Sequence, residues 1–375
     1  IPYLLPKGNE LPKQPEIWAQ ITVPNEFQPV GKYNIGFTAG IETTLCAPQW
    51  IEGLNRMDLN IVSSNHAKQV FENSKFEQHD SNTNQKIGVV ELQKPIEVLF
   101  EGASLEKYFP SKNTNNLDLS QVKESFAYLF VGHWMQGVLG EDRKNVGLLV
   151  KLFYETFKNQ KKTPALILKC SGAGTSYIDR DEILKKINQV KSTVQADILP
   201  NVYLLHGEFS DQEINDLYNH KKVKAMLSLT KGEGFGRPLL EFSLVKKPII
   251  TTNWSGHTDF LDSKFSTLIN GEIQQIHDSA VIPDMILKES GWFSPNTMEF
   301  QQHLVNMFAN YKGYEKGAML QYHKSKNNFS FNGMKDILDL LLGRIPEFPK
   351  QVELKLPNLK KIEFPKPKKL KNVKG

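Results

Sequence analysis

The sequence predicts an α/β protein built around a doubly wound parallel sheet, and three observations support this prediction. Strand-like apolar runs lie at residues 223–229 and 249–252. Between them come a glycine-rich loop and an amphipathic segment that begins at Pro238, so strand, loop, helix and strand follow one another. At least four such strand–helix units fit between residues 126 and 262, which is enough for a sheet with helices on both faces.

Length and composition exclude several classes of protein. A chain of 375 residues suits two domains better than one. Its apolar fraction of 39% and charged fraction of 23% are typical of globular proteins, and no apolar run reaches the roughly 18 residues of a spanning helix. Cys46 and Cys170 are far apart and form no CxxC pattern, which argues against disulfides and thiolate zinc sites. We therefore expect a cytoplasmic protein.

The net charge of +5 is concentrated at the carboxyl end of the chain. From Lys350 onward the chain carries a net charge of +7, so the remainder is slightly acidic and no nucleic-acid partner is expected. Residues 346–375 are rich in Pro and Lys and too poor in apolar groups to fold alone. We expect a solvated tail, and the alternative is a weak electrostatic contact with an anionic membrane surface that would make the protein peripheral to a membrane.

The first half of the chain alternates strands and helices, but it contains few strands. We expect this domain to cover residues 1–122, beginning with a proline-rich lead-in over residues 1–20. Its predicted strands are at 17–23, 33–38, 59–63 and 98–102, its predicted helices at 47–55 and 66–71, and its predicted surface loop or short helix at 75–85.

The second half has the fuller pattern. We expect this domain to cover residues 123–345, after a polar hinge at 111–124. Besides the unit at 222–262, strands are predicted at 126–132, 165–169 and 201–206, helices at 146–157, 210–219, 294–311 and 334–342, and irregular structure at 265–292.

Two carboxylates flank the glycine loop of the opening unit. Glu233 lies in the loop and Glu241 lies in the first helical turns, so both can face one crevice. The backbone N–H groups of residues 234–237 are available to an anion at the start of the helix. Hydroxyl-accepting carboxylates beside a phosphate cradle suit a nucleotide sugar. The alternative is a glycine loop followed by a helix-capping glutamate, because such loops are common in α/β proteins.

The segment GEGFGRPLLEF resembles the donor site of retaining glycosyltransferases of family four (glycosyltransferase group 1), which has two glutamates separated by seven residues. The following PIITTNWSGHTDFL resembles the next strand and loop of that family. In the first half, YNIGFTAGIET, MDLNIVSSNHAKQVF and VLFEGASLEKYF resemble segments of its N-terminal domain. The resemblance implies two Rossmann-like domains that face each other across a cleft, the GT-B arrangement. The family's first strand and glycine loop have no counterpart before residue 17, so we expect an abbreviated or truncated N-terminal domain.

The resemblance also implies roles for individual residues. Arg143 and Lys144 would hold the donor diphosphate, Glu233 the sugar hydroxyls and Glu241 the ribose. The cation pair has support of its own, since positive charge near a helix N-terminus is disfavoured by the helix dipole and a bound phosphate would offset this. The alternative is a pair of solvated surface charges. Further donor contacts are expected from Gly234, Phe235 and Gly236 beside the phosphate or sugar, and from Gly132, Gly207 and Phe209.

One family feature is missing from the loop that faces the acceptor. Members tend to carry a histidine there, whereas residues 38–43 read TAGIET and contain only Glu42 as an ionisable group. Glu42 could contact the acceptor hydroxyl or the sugar, and we include it among the catalytic candidates. The alternative is a glutamate that caps the helix near Thr43.

The motif Asp179-Arg-Asp181 is the remaining candidate for chemistry. Paired aspartates of this kind bind Mn²⁺ in metal-dependent transferases, but here they precede a helical run, where they would act as N-terminal caps. We expect no metal and no cofactor.

The function that the resemblance implies is transfer of a hexose from a nucleoside diphosphate sugar, either a UDP-sugar or GDP-mannose. The acceptor would be a glycan, a lipid or a protein. The alternative is a non-catalytic module that binds nucleotide sugars or carbohydrates.

Overall fold

The computed structural model describes residues 13–80, 83, 85–114, 116–135 and 137–348. Contacts divide the chain into two units, Ile1–Arg344 and Ile345–Gly375, and the elements below belong to the first. The predicted lead-in falls partly, and the predicted tail almost entirely, outside the described residues. None of the helices in the described ranges is both long and apolar enough to cross a membrane.

The first half contains a sheet of four parallel strands in the order β1-β2-β3-β6. Its helices are α1 (Pro48–Asn55) and α2 (Asn65–Asn73), and α2 is capped by the Ser64 hydroxyl, which accepts the Ala67 N–H at 3.1 Å. The strands are β1 (Ile17–Ile21), β2 (Tyr33–Thr38), β3 (Leu59–Val62), β4 (Phe76–His79), β5 (Lys86–Val90) and β6 (Ile96–Val98).

The prediction of a loop or helix at residues 75–85 is wrong. Strands β4 and β5 form an antiparallel hairpin there, whose side chains are mostly exposed. Because neither strand has a fully buried face, the alternation of apolar and polar residues that identifies a strand is weak. Strand β6 of the four-stranded sheet also begins and ends earlier than the predicted strand at 98–102.

The second half contains a sheet of six parallel strands in the order β12-β11-β10-β7-β8-β9. Its strands are β7 (Ala127–His133), β8 (Ala165–Ser171), β9 (Val202–Leu205), β10 (Val223–Ser228), β11 (Ile249–Thr252) and β12 (Thr267–Ile269). The connecting helices are α3 (Val146–Phe157), α4 (Tyr177–Ser192), α5 (Asp211–Asn219) and α6 (Arg237–Ser243). Apolar clusters cover both faces of this sheet, as expected for a doubly wound fold.

The strand order of this sheet determines where a ligand can bind. The chain starts at β7, adds β8 and β9 on one side, and then returns to add β10, β11 and β12 on the other. The connections after β7 and β10 therefore diverge, and the crevice between them at the carboxyl ends of the strands is the usual ligand site of open α/β sheets.

The last part of the described chain crosses back to the first half. It comprises β13 (Gly271–Gln275), β14 (Gly291–Pro295), α7 (Thr297–Ala309), α8 (Lys312–Asn328) and α9 (Phe331–Leu342). The backbone of Ala103 exchanges hydrogen bonds of 2.9 and 3.0 Å with Phe329 and Phe331, and Arg344 contacts Glu97 at 2.9 Å. The return of the terminal helices is as expected, but residues 265–292 are not irregular, since they include β12, β13 and the start of β14.

The predicted hinge at 111–124 packs on α5 of the second half. The Ser111 N–H donates to the Asn219 side chain at 2.8 Å, and the Asn116 side chain donates to Asp216 at the same distance. These contacts attach the segment to the six-stranded sheet. Its role as a hinge, and the domain boundary at residues 122 and 123, stay predictions.

Candidate functional site

The loops after β7 and β10 meet at the switch point of the six-stranded sheet. The first loop carries Arg143 and Lys144 just before α3, and the second carries Glu233 before α6. The two loops are joined directly, because the Lys231 N–H donates to the Arg143 carbonyl at 2.8 Å. The sequence-predicted cations and the first glutamate are therefore brought together.

The loop before α3 has a fixed shape. Asn145 at its end adopts the left-handed conformation (φ 56°), and the buried Asp142 carboxylate accepts the Val146 N–H at 3.1 Å. Burial raises the pKa of Asp142. The Lys231 ammonium donates to the Gly140 carbonyl and lies 3.9 Å from the centre of the Trp292 ring. These contacts position Arg143 and Lys144 before any ligand binds.

The carboxylate of Glu233 lies between the two cations. Its oxygens accept hydrogen bonds from Lys144 Nζ at 2.5 and 2.7 Å, and Arg143 Nη1 lies 3.4 Å from Oε2. Arg143 Nη1 also donates to the Gly232 carbonyl at 2.6 Å. Glu233 is only 6% exposed, so these interactions form in a largely dehydrated crevice.

The pKa values follow from this geometry. Burial disfavours the charged form of Glu233, but the charges of Lys144 and Arg143 outweigh burial and lower the pKa of Glu233 to about 2. For Arg143, burial opposes the charge while Glu233 and Glu42 favour it, and the net effect is a raised pKa. Glu233 is therefore ionised at neutral pH, and it is suited to accepting hydrogen bonds rather than to proton transfer.

Glu42 joins this cluster from the first half of the chain. Its Oε1 lies 3.6 Å from Arg143 Nη2. The alternative of a helix cap is wrong, since α1 begins at Pro48 after Ala47 and its start has no side-chain cap. The loop that carries Glu42 packs closely against the backbone of the glycine loop. A Cβ at Gly232 would lie 1.9 Å from the Glu42 carbonyl oxygen, and a Cβ at Gly234 would lie 2.7 Å from the Ala39 carbonyl oxygen.

The glycine loop has the predicted open backbone. Gly236 precedes α6 with φ 97°, a conformation that favours glycine, and the backbone N–H groups of Gly234, Phe235 and Gly236 form no hydrogen bond within the described chain. The Phe235 side chain is 3% exposed and packs on Phe260 with ring centres 5.1 Å apart. Only the backbone of Phe235 is therefore available to a ligand.

Glu241 lies in α6 and pairs with Arg237 rather than with the cations that hold Glu233. Its Oε1 accepts from Arg237 Nη2 at 3.3 Å, and Arg237 Nε is 3.8 Å from Glu101. Burial raises the pKa of Glu241 to about 7, although Arg237 opposes the shift. The pKa of Glu241 is therefore above the usual value for a glutamate, whereas the pKa of Glu233 is below it.

The remaining predicted donor residues lie along the same edge of the sheet. Gly132 is in β7, paired with Cys170 of β8. Gly207 follows β9 with φ 120°, and its carbonyl accepts from Lys169 Nζ at 2.8 Å. The same ammonium is 4.6 Å from the centre of the Phe209 ring. Whether these residues contact a donor stays a prediction.

Asp179 has a structural role that differs in detail from the predicted one. Helix α4 begins at Tyr177, and its cap is Ser176, not an aspartate. The Asp179 carboxylate accepts the Gly172 N–H at 3.0 Å and contacts His206 Nε2 at 2.6 Å. Within the described ranges, no three His, Cys, Asp or Glu side chains are grouped to hold a metal ion.

Sequence reasoning missed a histidine in the cleft. His66, in the first turn of α2, lies against the backbone of Ile41 and Thr43, which belong to the loop that lacks the family's histidine. Its ring contacts that of Trp254 in a T-shaped arrangement, with ring centres 4.7 Å apart. Only its position at the start of a predicted helix was visible in the sequence.

Comparisons with known proteins agree with this geometry. Residues 136–281 match the family model described as glycosyl transferases group 1. No curated protein matches the chain.

Three solved structures illustrate the similarity of fold. Anabaena Alr3699/HepE in complex with UDP-glucose has a TM-score of 0.59 at 13% identity, covering 84% of this chain and 72% of that one. The glycosyltransferase from Rickettsia africae has a TM-score of 0.53 at 15% identity, covering 82% and 69%. TarM has a TM-score of 0.54 at 13% identity, covering 87% and 54%.

The two parallel sheets and the crevice at the switch point define a GT-B glycosyltransferase fold with Rossmann-like halves, as the sequence predicts. Within the second half of the chain, residues 136–281 are similar to glycosyl transferases group 1.

Proposed function

We propose that this protein is a retaining glycosyltransferase that transfers a hexose from a nucleoside diphosphate sugar to an acceptor hydroxyl without a protein-bound metal. The observation that carries the proposal is the buried Glu233 carboxylate between Lys144 and Arg143 at the switch point of the sheet. A site with two fixed cations and one hydroxyl-accepting carboxylate matches the diphosphate and the sugar of such a donor.

The charges of the cluster suggest which residue binds which part of the donor. Before the donor binds, Glu233 and Glu42 balance the two cations. The donor diphosphate would take over part of this pairing, so that Arg143 and Lys144 stabilise the negative charge that grows on the leaving group. Glu233 would then accept hydrogen bonds from sugar hydroxyls, and the free N–H groups of residues 234–236 would position phosphate or sugar oxygens.

In the proposed reaction the bond from the anomeric carbon to the phosphate oxygen breaks and a bond to the acceptor oxygen forms on the same face of the sugar. The acceptor proton passes to the leaving phosphate. Glu233 is a poor proton acceptor because its pKa of about 2 makes its conjugate base too weak. Glu42, beside Arg143, is placed to contact the sugar or the acceptor hydroxyl.

Among the two donor types expected from the sequence, we favour a UDP-sugar. The support is the similarity of fold to Alr3699/HepE, whose structure contains UDP-glucose. Glu241 would contact the ribose, with Gly132, Gly207 and Phe209 nearer the base. A glycan, lipid or protein acceptor and a cytoplasmic location are part of the proposal and rest on the sequence alone. A weak contact between the tail and a membrane surface stays the alternative to a solvated tail.

Calorimetry with UDP, GDP and ADP tests the donor half of the proposal, and release of UDP from UDP-hexoses in the presence of acceptors tests the reaction. The double variant Arg143→Ala, Lys144→Ala should weaken UDP binding at least tenfold, or about 1.4 kcal/mol. Lys221→Met, on the exposed surface, serves as the control. Nucleotide binding without turnover toward any acceptor would favour the non-catalytic module, and full activity of the double variant would refute the site.

A further inference from the structure

A second pocket lies between α2 of the first half and the segment that follows β11. Its volume is about 250 Å³, and it opens to solvent. None of the donor-site residues above lines it. The described residues that line it are Asn65, His66, Gln69, Asn253, Trp254, Ser255, Thr258 and Asp259.

The lining of this pocket has the chemistry that recognises carbohydrate. The amides of Asn65, Gln69 and Asn253 both donate and accept hydrogen bonds, as hydroxyl groups of a sugar require. Trp254 stacks on Phe293 with ring centres 6.1 Å apart and is half-buried. The part of its indole that lines the pocket adds aromatic surface of the kind on which the C–H face of a pyranose packs. His66 contributes an imidazole ring, which can donate and accept hydrogen bonds.

The charge of the lining argues against an anionic ligand. Lys and Arg are missing from the residues that line the pocket, and Asp259 is present. The Asp259 carboxylate accepts the Asn65 N–H at 2.8 Å, which joins the two walls. A phosphate group would be repelled by the Asp259 carboxylate, whereas a neutral saccharide would not.

Hydrogen bonds with the backbone of Glu233 connect this pocket to the donor site. Ser255, which lines the pocket, accepts the Glu233 N–H on its hydroxyl at 2.9 Å, and the Gly256 N–H donates to the Glu233 carbonyl at 3.0 Å. Trp254 packs so close to Gly232 that a Cβ there would lie 3.0 Å from the indole. His66 lies against the loop that carries Glu42.

We propose that this pocket binds a neutral saccharide unit of the acceptor, so that the acceptor is a glycan. This inference rests on the proposed function, because the word acceptor presupposes transfer. The site is separate from that of the donor sugar, which is assigned to the Glu233 carboxylate and to the free N–H groups of residues 234–236.

Saturation-transfer NMR tests the pocket directly, because it detects the weak affinities expected for small saccharides. The probes are methyl hexosides, maltose, lactose, cellobiose and chitobiose at up to about 20 mM. Gln69→Trp is the blocking variant, since Gln69 is exposed on α2 at the rim and its replacement leaves Trp254 untouched. Gln189→Trp, also exposed on a helix, is the matched control. UDP binding is measured on all three proteins.

We expect at least one saccharide to bind the wild type and Gln189→Trp, a loss of at least about tenfold in Gln69→Trp, and equal UDP affinity throughout. Equal saccharide binding by Gln69→Trp, or no binding of any probe to the wild type, would overturn the proposal. A third outcome is that saccharides bind in a way that depends on Gln69 but UDP does not bind. This outcome would support the carbohydrate site and refute the proposed function.

Discussion

Lys144 Nζ contacts both carboxylate oxygens of Glu233, at 2.5 and 2.7 Å, across the switch point of the six-stranded sheet. The two side chains are 15% and 8% exposed, so both charges have lost most of their hydration. A buried ion pair of this kind adds little net stability, because desolvation offsets the Coulomb attraction. Its position at the carboxyl ends of β7 and β10 is better explained by a ligand that exchanges with one of the partners.

Glu233→Gln should separate binding of the nucleotide from transfer of the sugar. The substitution removes the internal anion that competes with a diphosphate for Lys144 and Arg143, so UDP should bind about fivefold more tightly, or by about 1 kcal/mol. Transfer should fall by at least about 100-fold, because the hydroxyl-accepting charge is lost. Calorimetry and UDP release measure the two effects. Glu289→Gln, an exposed substitution, should change neither, and weaker UDP binding by Glu233→Gln would contradict the competition.

Glu241 should make stability depend on pH in a defined window. Burial raises its pKa from 4.5 in the unfolded chain to about 7 in the folded protein. Between these values the folded state holds a proton that the unfolded state has released, so this contribution to the free energy of unfolding falls as pH rises from about 4.5 to 7. Below about pH 4.5 Glu241 is protonated in both states and does not lower the free energy of unfolding. Above about pH 7 it is ionised in both states, and the decrease in the free energy of unfolding no longer changes with pH.

Urea unfolding of the wild type and Glu241→Gln at pH 5 and pH 7.5 measures this contribution. Gln cannot ionise, so the stability of the variant relative to the wild type should improve by about 2 kcal/mol between the two pH values. All other titrating groups are common to both proteins and cancel. A relative stability that is the same at both pH values would show that Glu241 titrates normally.

Gly232→Ala should displace the loop that carries Glu42. The added Cβ would lie 1.9 Å from the Glu42 carbonyl oxygen, which is a backbone atom and cannot rotate away. A shift of about 1 Å in a positioning group is enough for a loss of up to about 100-fold in rate, and we expect at least tenfold. Gly174→Ala is the control, since its Cβ would meet nothing within 4 Å. Equal transfer rates of the two variants would remove Glu42 from the site.

The parts of the fold that the sequence predicts are those with strong local patterns. The unit from β10 to β11 combines buried apolar strands, a glycine loop and Pro238 in the first turn of α6, and all of them appear where expected. The cation pair could be predicted because positive charge before a helix is unfavourable without an anion. These signals do not depend on contacts that are distant in sequence.

The parts that the sequence does not predict depend on such contacts. Helix α8 buries Ala318, Gln321 and Ser325, which are small or polar, so it shows little apolar periodicity. Besides the nearby Ser325 hydroxyl, Gln321 bonds to groups that are distant in sequence, including the Phe260 carbonyl at 2.8 Å. Likewise, His66 enters the cleft because α2 packs beside Trp254, a residue 188 positions away in the chain.

Removal of divalent cations should leave the transfer rate unchanged. The Asp179 carboxylate is engaged by the Gly172 N–H and by His206, and therefore is not free to bind Mn²⁺. Asp179→Asn should lower the free energy of unfolding by about 1–3 kcal/mol through loss of these buried contacts. Asp181→Asn, on the exposed side of α4, should be neutral. Loss of transfer in EDTA and its recovery with Mn²⁺ would contradict the metal-independent mechanism.

Lys247→Met should test the attachment of the end of α5 to the start of β10. The Lys247 ammonium donates to the carbonyls of Tyr218, His220 and Val223 at 2.6, 2.9 and 2.8 Å, so it joins the end of α5 to the start of β10. Methionine fills a similar volume but donates no hydrogen bond, so the three carbonyls lose their donor in a poorly hydrated place. We expect the free energy of unfolding to fall by about 3 kcal/mol in urea denaturation. Lys221→Met, three residues beyond Tyr218 and exposed, should change it by less than about 0.5 kcal/mol. Similar stabilities of the two variants would mean that the Lys247 contacts do not hold α5 and β10 together.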